Sequence, residues 1–236
     1  MLELGSDHTE AISSIHVDKR GRTCGGPAAA LQGLPLEGII SASYAPREDL
    51  FLEGDRVGCI FEIAKGIICG YRLSPDGTRH VVSFYFPGDL IACCWPDRST
   101  FSAQALTPVR VRRIPKSAID HMIEQRPGFA RQLLDLTGHE LAVTRDHLMC
   151  IASKSAEAKI AGFLLALQHR NRQQSKDPDT LDIPMTRVDI GDYLGLTIET
   201  VSRTLTKLRR SGVIDLPKAT TILIKSGEAL QSIAGE

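Results

Sequence analysis

One stretch limits what this chain can become more than any other: Met185–Val213, MTRVDIGDYLGLTIETVSRTLTKLRRSGV. It reads as two short helices joined by a tight reversal. The first, over Met185–Tyr193, carries apolar residues at Val188 and Ile190, with Leu194 just beyond. Gly195 follows, where a chain turning between helices benefits from a residue without Cβ. Thr197 is a good N-cap for the second helix, with Thr200 three residues on in place of the Glu of a capping box. Val201, Leu205 and Leu208 then form one apolar stripe that faces the body of the domain. Gly212 closes the helix after the basic last turn Lys207, Arg209 and Arg210.

That packing leaves Glu199, Thr200, Ser202, Arg203, Thr206 and Lys207 looking outward. Glu199, Ser202 and Arg203 stand at i, i+3 and i+4, so they project together. An arginine fork matches guanine N7 and O6 in a major groove, a carboxylate accepts from a cytosine amino group, and a hydroxyl reaches either. A carboxylate beside phosphates is unfavourable, so its presence points to base reading rather than adhesion. The bland alternative is a solvated helix face with an incidental Glu–Arg pair.

The segment MTRVDIGDYLGLTIETVSRTL resembles the helix-turn-helix of the CRP/FNR superfamily of bacterial transcription regulators, closest to its FNR and FixK branch. The similarity runs from about Leu50 to about Ala234. The branch's signature on the reading helix, Glu-x-x-Ser-Arg, falls on Glu199, Ser202 and Arg203. In that family it reads TTGAT half-sites in an inverted repeat, and the resemblance implies the same here. Thr186, Arg187, Thr197, Thr200 and Lys207 are candidates for phosphate or groove contacts, with capping and surface solvation as the alternative for Thr186, Arg187, Thr197 and Thr200.

Composition restricts the remaining classes. The 236 residues suffice for two modest domains, and no apolar run approaches the roughly 20 residues of a membrane span. No secretory signal is apparent, so a cytoplasmic protein without a membrane partner is expected. The 28 basic and 28 acidic residues balance to a formal charge of +0, so any DNA contact must come from locally segregated charge. No phosphate loop, His-Glu-x-x-His or nucleophile elbow is found, and an enzyme is not expected.

The expected class is α+β, in four parts: a flexible arm over residues 1–33, a β-roll over 34–126, a dimerisation helix over 127–152 and a winged helix-turn-helix over 153–236. Short apolar runs at Val57–Ile63, Gly66–Arg72, His80–Phe86, Thr100–Leu106 and Val109–Ile114 alternate with Gly and Pro punctuation, which suggests a sandwich or roll. Gly54-Asp55, Lys65-Gly66 and Pro87-Gly88-Asp89-Leu90 resemble the cyclic-nucleotide-binding roll of the superfamily. Its nucleotide-binding members use a Gly-Glu-Leu and a following Arg-Ser. Here Gly88-Asp89-Leu90 lacks the glutamate, and Arg98-Ser99 comes in a short loop, so a roll kept as a scaffold is preferred.

Six cysteines are present: Cys24, Cys59, Cys69, Cys93, Cys94 and Cys150. The FNR oxygen sensors ligate an iron–sulfur cluster with closely spaced N-terminal cysteines plus one just before an Ile-Pro. Here Cys24 stands alone and Arg113 precedes Ile114-Pro115, so the four thiolates are missing. Cys59 and Cys69 read as small buried hydrophobes. The adjacent Cys93 and Cys94 would point to opposite faces of a strand and make poor co-ligands. No metal or cofactor is expected.

Ser117–Gln125 reads as a short helix ending before Pro127, and Phe129–Ile151 as a long one. Leu134, Leu141 and Leu148 recur every seven residues, with Thr137, Thr144 and Ile151 three residues after each. This is a short a/d seam suited to a parallel two-stranded coiled coil, with a helix buried on both faces inside one monomer as the alternative. Leu133, Leu136, Val143, His147 and Cys150 form a second stripe, to pack on the roll. In FNR-type sensors an acidic residue in this helix opposes pairing; the corresponding position is the neutral Thr144. The sequence therefore suggests a homodimer that needs no oxygen-labile cofactor.

Ala156–Leu167 is a further amphipathic helix, and Arg170–Asp179 a polar loop. Val213–Leu216 and Thr221–Ile224 form a β-wing around a Pro217-Lys218 turn. A dimer of such units presents two reading helices about 34 Å apart along DNA. The resemblance implies an activator, working with RNA polymerase on microaerobic, anaerobic or nitrogen-fixation genes. The rival is a ligand sensor of the same superfamily using haem, nitric oxide, thiol redox or a metabolite in the roll, with His80, His121, His139 and His147 as possible axial ligands.

Overall fold

The computed structural model describes residues 38–92, 98–173 and 177–235. The expected arm, Cys24 and the Cys93-Cys94 pair lie outside the described residues. The chain opens with eight strands: β1 (Ile40–Tyr44), β2 (Asp49–Phe51), β3 (Cys59–Lys65), β4 (Ile68–Leu73), β5 (Arg79–Tyr85), β6 (Leu90–Ala92), β7 (Ser102–Ala105) and β8 (Val109–Pro115). Three helices follow, α1 (Lys116–Gln125), α2 (Pro127–Ser153) and α3 (Ala156–Gln173). Then come β9 (Thr180–Asp182), α4 (Arg187–Leu194), α5 (Ile198–Arg210), β10 (Ile214–Lys218), β11 (Thr221–Ile224) and α6 (Gly227–Ala234).

The first eight strands make two antiparallel sheets, ordered β1-β8-β3-β6 and β2-β7-β4-β5. Side chains alternate across each strand, so β3, β4, β5, β6 and β8 each serve two cores. Phe61, Ile63 and Ile68 point between the sheets, among Phe51, Tyr85 and Val111. Ile60 and Ile114 point the other way, onto Ile119 and Met122 of α1 and Phe129 of α2. With both faces covered, Cys59–Ile63 is buried at five successive positions and reads as a continuous run rather than an alternation. The one acid in that run, Glu62, sits opposite Arg112 on β8 and is ion-paired with it.

The outer face of the second sheet meets the C-terminal half. Cys69, Val81, Phe84 and Phe86 share one core with Ile160, Phe163 and Leu164 of α3, Ile190 and Tyr193 of α4, and Val201, Leu205 and Leu208 of α5. Roll and C-terminal half are thus joined by a common interior. Among the described residues, no helix is long and apolar enough to cross a membrane.

Several boundaries differ from the sequence reading. The helix expected to end at Leu167 runs on to Gln173, through residues read as loop. Arg170 explains this: it is buried, and its Nη2 reaches both carboxylate oxygens of Asp89 at 3.1 and 2.9 Å. Pro127 does not precede the long helix but begins it, where a missing N–H costs nothing. The wing turns at Ala219-Thr220, while Pro217 lies within β10, an edge strand that tolerates a residue without a donor. The three-residue β9 and the helix α6 had no strong signal in the sequence.

Candidate DNA interface

Two caps set the geometry of the reading unit. Thr186 begins α4 with a full capping box: its hydroxyl accepts from the Asp189 N–H at 3.1 Å, and Asp189 accepts from the Thr186 N–H at 2.9 Å. The first helix therefore starts at Arg187, not at Met185. Gly195 ends it in the left-handed conformation, φ +62°, where a side chain would be strained and its Cβ would meet Ile151 at 3.1 Å. Thr197 then caps α5, accepting from the Thr200 N–H at 3.2 Å. Of the first helix's expected apolar face, Ile190 and Leu194 are buried, but Val188 is 59 % exposed.

On α5 the inward stripe of Val201, Leu205 and Leu208 is buried, and Thr204 with it. Glu199, Ser202 and Arg203 are exposed on the same side. Hydroxyls order them: Arg203 Nη2 donates to Thr200 Oγ1 at 3.4 Å, and Thr200 Oγ1 stands 3.1 Å from Thr197 Oγ1. The Glu199 carboxyl is held below the usual carboxylate range by its own backbone N–H, then by the Thr197 hydroxyl and the Arg203 charge. The face thus presents an ionised acceptor, a hydroxyl and a guanidinium in one row.

The candidate phosphate contacts separate into groups. Thr186 and Thr197 act as caps, and Thr200 as the link to Arg203. Lys207 is ion-paired with Glu157 of α3 at 2.5 Å, on the surface. Arg187 is half-buried at the start of α4, and among the described residues it has no carboxylate partner; burial alone depresses its pKa. Arg209, Arg210 and Lys218 are exposed beyond them.

Behind the interface stands a residue the sequence reading passed over. Tyr193 of α4 is 1 % exposed and meets three rings from three elements. It lies 5.1 Å from Phe84 of β5, 6.4 Å from Phe163 of α3 and 4.2 Å from the His147 ring of α2, the last stacked. His147 Nε2 is 3.1 Å from the Tyr193 carbonyl, which fixes the tautomer with Nε2–H donating and leaves the buried Nδ1 without a partner among the described residues. Burial lowers the His147 pKa, the carbonyl bond opposes this, and Lys159 adds to it. The hairpin of β4 and β5 grips the same helix from the roll side. Arg79 pairs with Asp189 at 2.6 Å, and the Asp192 carboxylate accepts from the Val81 N–H. Burial alone would raise the Asp189 pKa; the Thr186 bonds and Arg79 outweigh it and lower it. The Thr-x-x-Asp spacing was the one available signal for Asp189.

The long helix leaves an apolar row uncovered. Leu134, Leu141 and Leu148 are 70 %, 49 % and 61 % exposed. Between them Thr137 and Thr144 donate to the carbonyls four residues back, each at 2.9 Å, so both hydroxyls are satisfied without a partner helix. Ile151 departs from the row: it is half-buried and turned toward Gly195. Of the second stripe, Val143 and Cys150 are buried and His147 is stacked on Tyr193.

The roll interior is filled by its own rings. Phe51 lies 5.5 Å from both Phe61 and Phe101, and Phe101 is 6.2 Å from Tyr85. Arg98 donates to the Gly54 carbonyl at 2.7 Å and Ser99 to the Phe101 carbonyl at 2.5 Å, so both serve the roll's own backbone. Cys59, Cys69 and Cys150 are buried thiols. Burial pushes the Cys69 thiol up to about 12 despite the adjacent Arg79. Such a thiol is unreactive.

A roll, a long helix and a winged helix-turn-helix with an ordered polar reading face define a DNA-binding transcription regulator. Residues 41–126 match the cyclic nucleotide-binding domain and residues 158–233 the Crp-like helix-turn-helix domain. The chain is 40 % identical over 171 residues to the nitrogen fixation regulation protein FixK of Bradyrhizobium diazoefficiens, covering 72 % of each chain. It is 37 % identical over 171 residues to the transcriptional activatory protein AadR of Rhodopseudomonas palustris, again covering 72 % of each. The structure of FixK2 from Bradyrhizobium japonicum superposes with a TM-score of 0.76 at 29 % identity, covering 83 % of this chain and 96 % of that one. The chain belongs to the CRP/FNR superfamily, in its FixK-like branch. It is a regulator and not an enzyme.

Proposed function

We propose that the protein works as a homodimer that reads TTGAT-type inverted repeats and activates transcription together with RNA polymerase. Its targets are genes of nitrogen fixation or of microaerobic and anaerobic life, and it needs no iron–sulfur cluster. The observation that carries this reading is the ordered row Glu199, Ser202 and Arg203, exposed on a helix whose opposite face is wholly buried. Arg203 takes a guanine through N7 and O6, Glu199 accepts from bases of the opposite strand, and Ser202 contacts a neighbouring base. Arg187, without a carboxylate partner among the described residues, takes a backbone phosphate, joined by Thr186, Thr197, Thr200 and Lys207. Lys207 would leave Glu157 to do so.

The dimer is supported by the exposed Leu134, Leu141 and Leu148, with Thr137 and Thr144 between them in the seam and Ile151 left out of it. Identity to an activatory protein and to nitrogen fixation regulators supports the direction and the gene class. The test is fluorescence anisotropy on a palindromic TTGAT duplex, its scrambled counterpart and a duplex substituted at the guanine. At physiological salt the palindrome should bind about 1000-fold tighter than scrambled DNA. Equal affinity for the two would end the proposal.

A further inference from the structure

The uncovered side of α2 carries charge as well as leucine, and the charge has an order. We propose that Glu140 of each copy of this chain forms an ion pair with Arg145 of a second copy, and that the two pairs select a parallel, in-register dimer. This pairing rests on the homodimer proposed above and sets its orientation.

Glu140 precedes Leu141 by one residue, and Arg145 follows it by four. At about 100° of turn per residue, the acid lies on one flank of the leucine row and the base on the other. Both are exposed. Among the described residues Arg145 has no carboxylate partner, and the positions three and four residues away on its own helix are Leu141, Ala142, Leu148 and Met149. The helix itself therefore supplies nothing for this cation.

Across a parallel seam, a residue on the first flank meets the residue five positions further on in the other copy. The leucine heptads define three such meetings: Leu133 with Gly138, Glu140 with Arg145, and His147 with Ala152. Only the middle one is charged, and its signs are opposite. Two-fold symmetry repeats it, so two ion pairs bracket Leu141. A slip of one heptad would set Glu140 against Gly138 or Ala152 and break both pairs. An antiparallel arrangement would turn each flank toward its own kind, acid toward acid and base toward base. Complementary charge of this sort fixes register and partner more than it adds affinity. The face thus fits a second copy of this chain running the same way.

The test is sedimentation equilibrium of the full-length protein at low salt, beside Arg145→Glu, Glu140→Arg and the double variant Glu140→Arg/Arg145→Glu. All the changes lie on the exposed side of α2 and leave the interior alone. Each single variant sets like charges together at two places, and should weaken the dimer on the order of tenfold, the scale of two exposed pairs. The double variant restores opposite charges with the flanks exchanged, and should return to within about threefold of the parent. In about 1 M sodium chloride, where screening acts over about 3 Å, the single variants should approach the parent as well. A dimeric parent whose single variants pair equally well at low salt, or whose double variant stays as weak as the singles, overturns the pairing alone. A parent that is monomeric at micromolar concentration overturns the homodimer and the pairing with it, and leaves the leucine row to a different chain.

Discussion

The helices α5 and α2 each leave a face uncovered, and the two faces are opposite in kind. On α5 the open side is polar and already ordered, with Thr197, Thr200 and Arg203 hydrogen-bonded in series. On α2 it is a row of leucines between self-satisfied threonines. A polar face rests in water at little cost. An apolar one does not, since each buried leucine is worth about 1.5–3 kcal/mol. The difference separates a surface that waits for a ligand from one that calls for a permanent partner. On the proposed dimer it also predicts the order of events: α2 pairs first, and the pair then presents two copies of α5.

Perturbing α2 should therefore do more than perturbing α5. Leu141→Lys places two cations against each other across the seam. Sedimentation should find a monomer at micromolar concentration, and affinity for the palindrome should drop by on the order of 100-fold as the second half-site is lost. A dimer that survives this change would mean the leucine row is not the interface. Arg203→Ala removes a base contact and leaves the seam alone. Binding should weaken by about 1–3 kcal/mol, with preference relaxed at one base pair in a competition series. Uniform weakening across all sequences would instead make Arg203 a phosphate contact.

Smaller effects sharpen how the two helices are held in relation. Asp192→Ala leaves the Val81 N–H without its acceptor at the grip of the roll on α4, which should lower the urea unfolding free energy by about 1–2 kcal/mol. The smallest effect is a pH slope. His147 is buried neutral, with its folded pKa below the ordinary 6.5, so the unfolded chain binds the extra proton. Its contribution is then complete above about pH 6.5 and fades as pH falls toward the folded value, at no more than about 1.4 kcal/mol per pH unit. His147→Gln retains a donor for the Tyr193 carbonyl, and its urea midpoint should be flatter between about pH 5 and 7. Asp189 has a depressed pKa, so its loss belongs to lower pH, below the ordinary 3.8, and does not overlap.

The parts visible in the sequence were those governed by local pattern. Val201, Leu205 and Leu208 announced the buried side of α5, and Gly195 the turn before it. The heptad leucines announced α2. What stayed hidden depends on residues far apart in the chain. Arg170-Asn171-Arg172 looks like a loop until Asp89, 81 positions earlier, is seen beside Arg170. Val188 looks like core, but α4 is covered from the roll side through Tyr193, Asp189 and Asp192, so Val188 is left in solvent. The shared core was hidden for the same reason: Phe84 and Cys69 sit in ordinary strand patterns, and nothing local says which sheet face the second half will cover.

The aromatic cluster around Tyr193 has a consequence for engineering. Modular thinking would cut this chain near Ser153 and fuse its DNA-reading half to a different sensory roll. Such a chimera would carry Tyr193 into a junction lacking Phe84, and would strip Asp189 and Asp192 of the hairpin that grips them. The graft would inherit a hole and two stranded acids. To transplant the specificity of this regulator, the β4–β5 hairpin must travel with it.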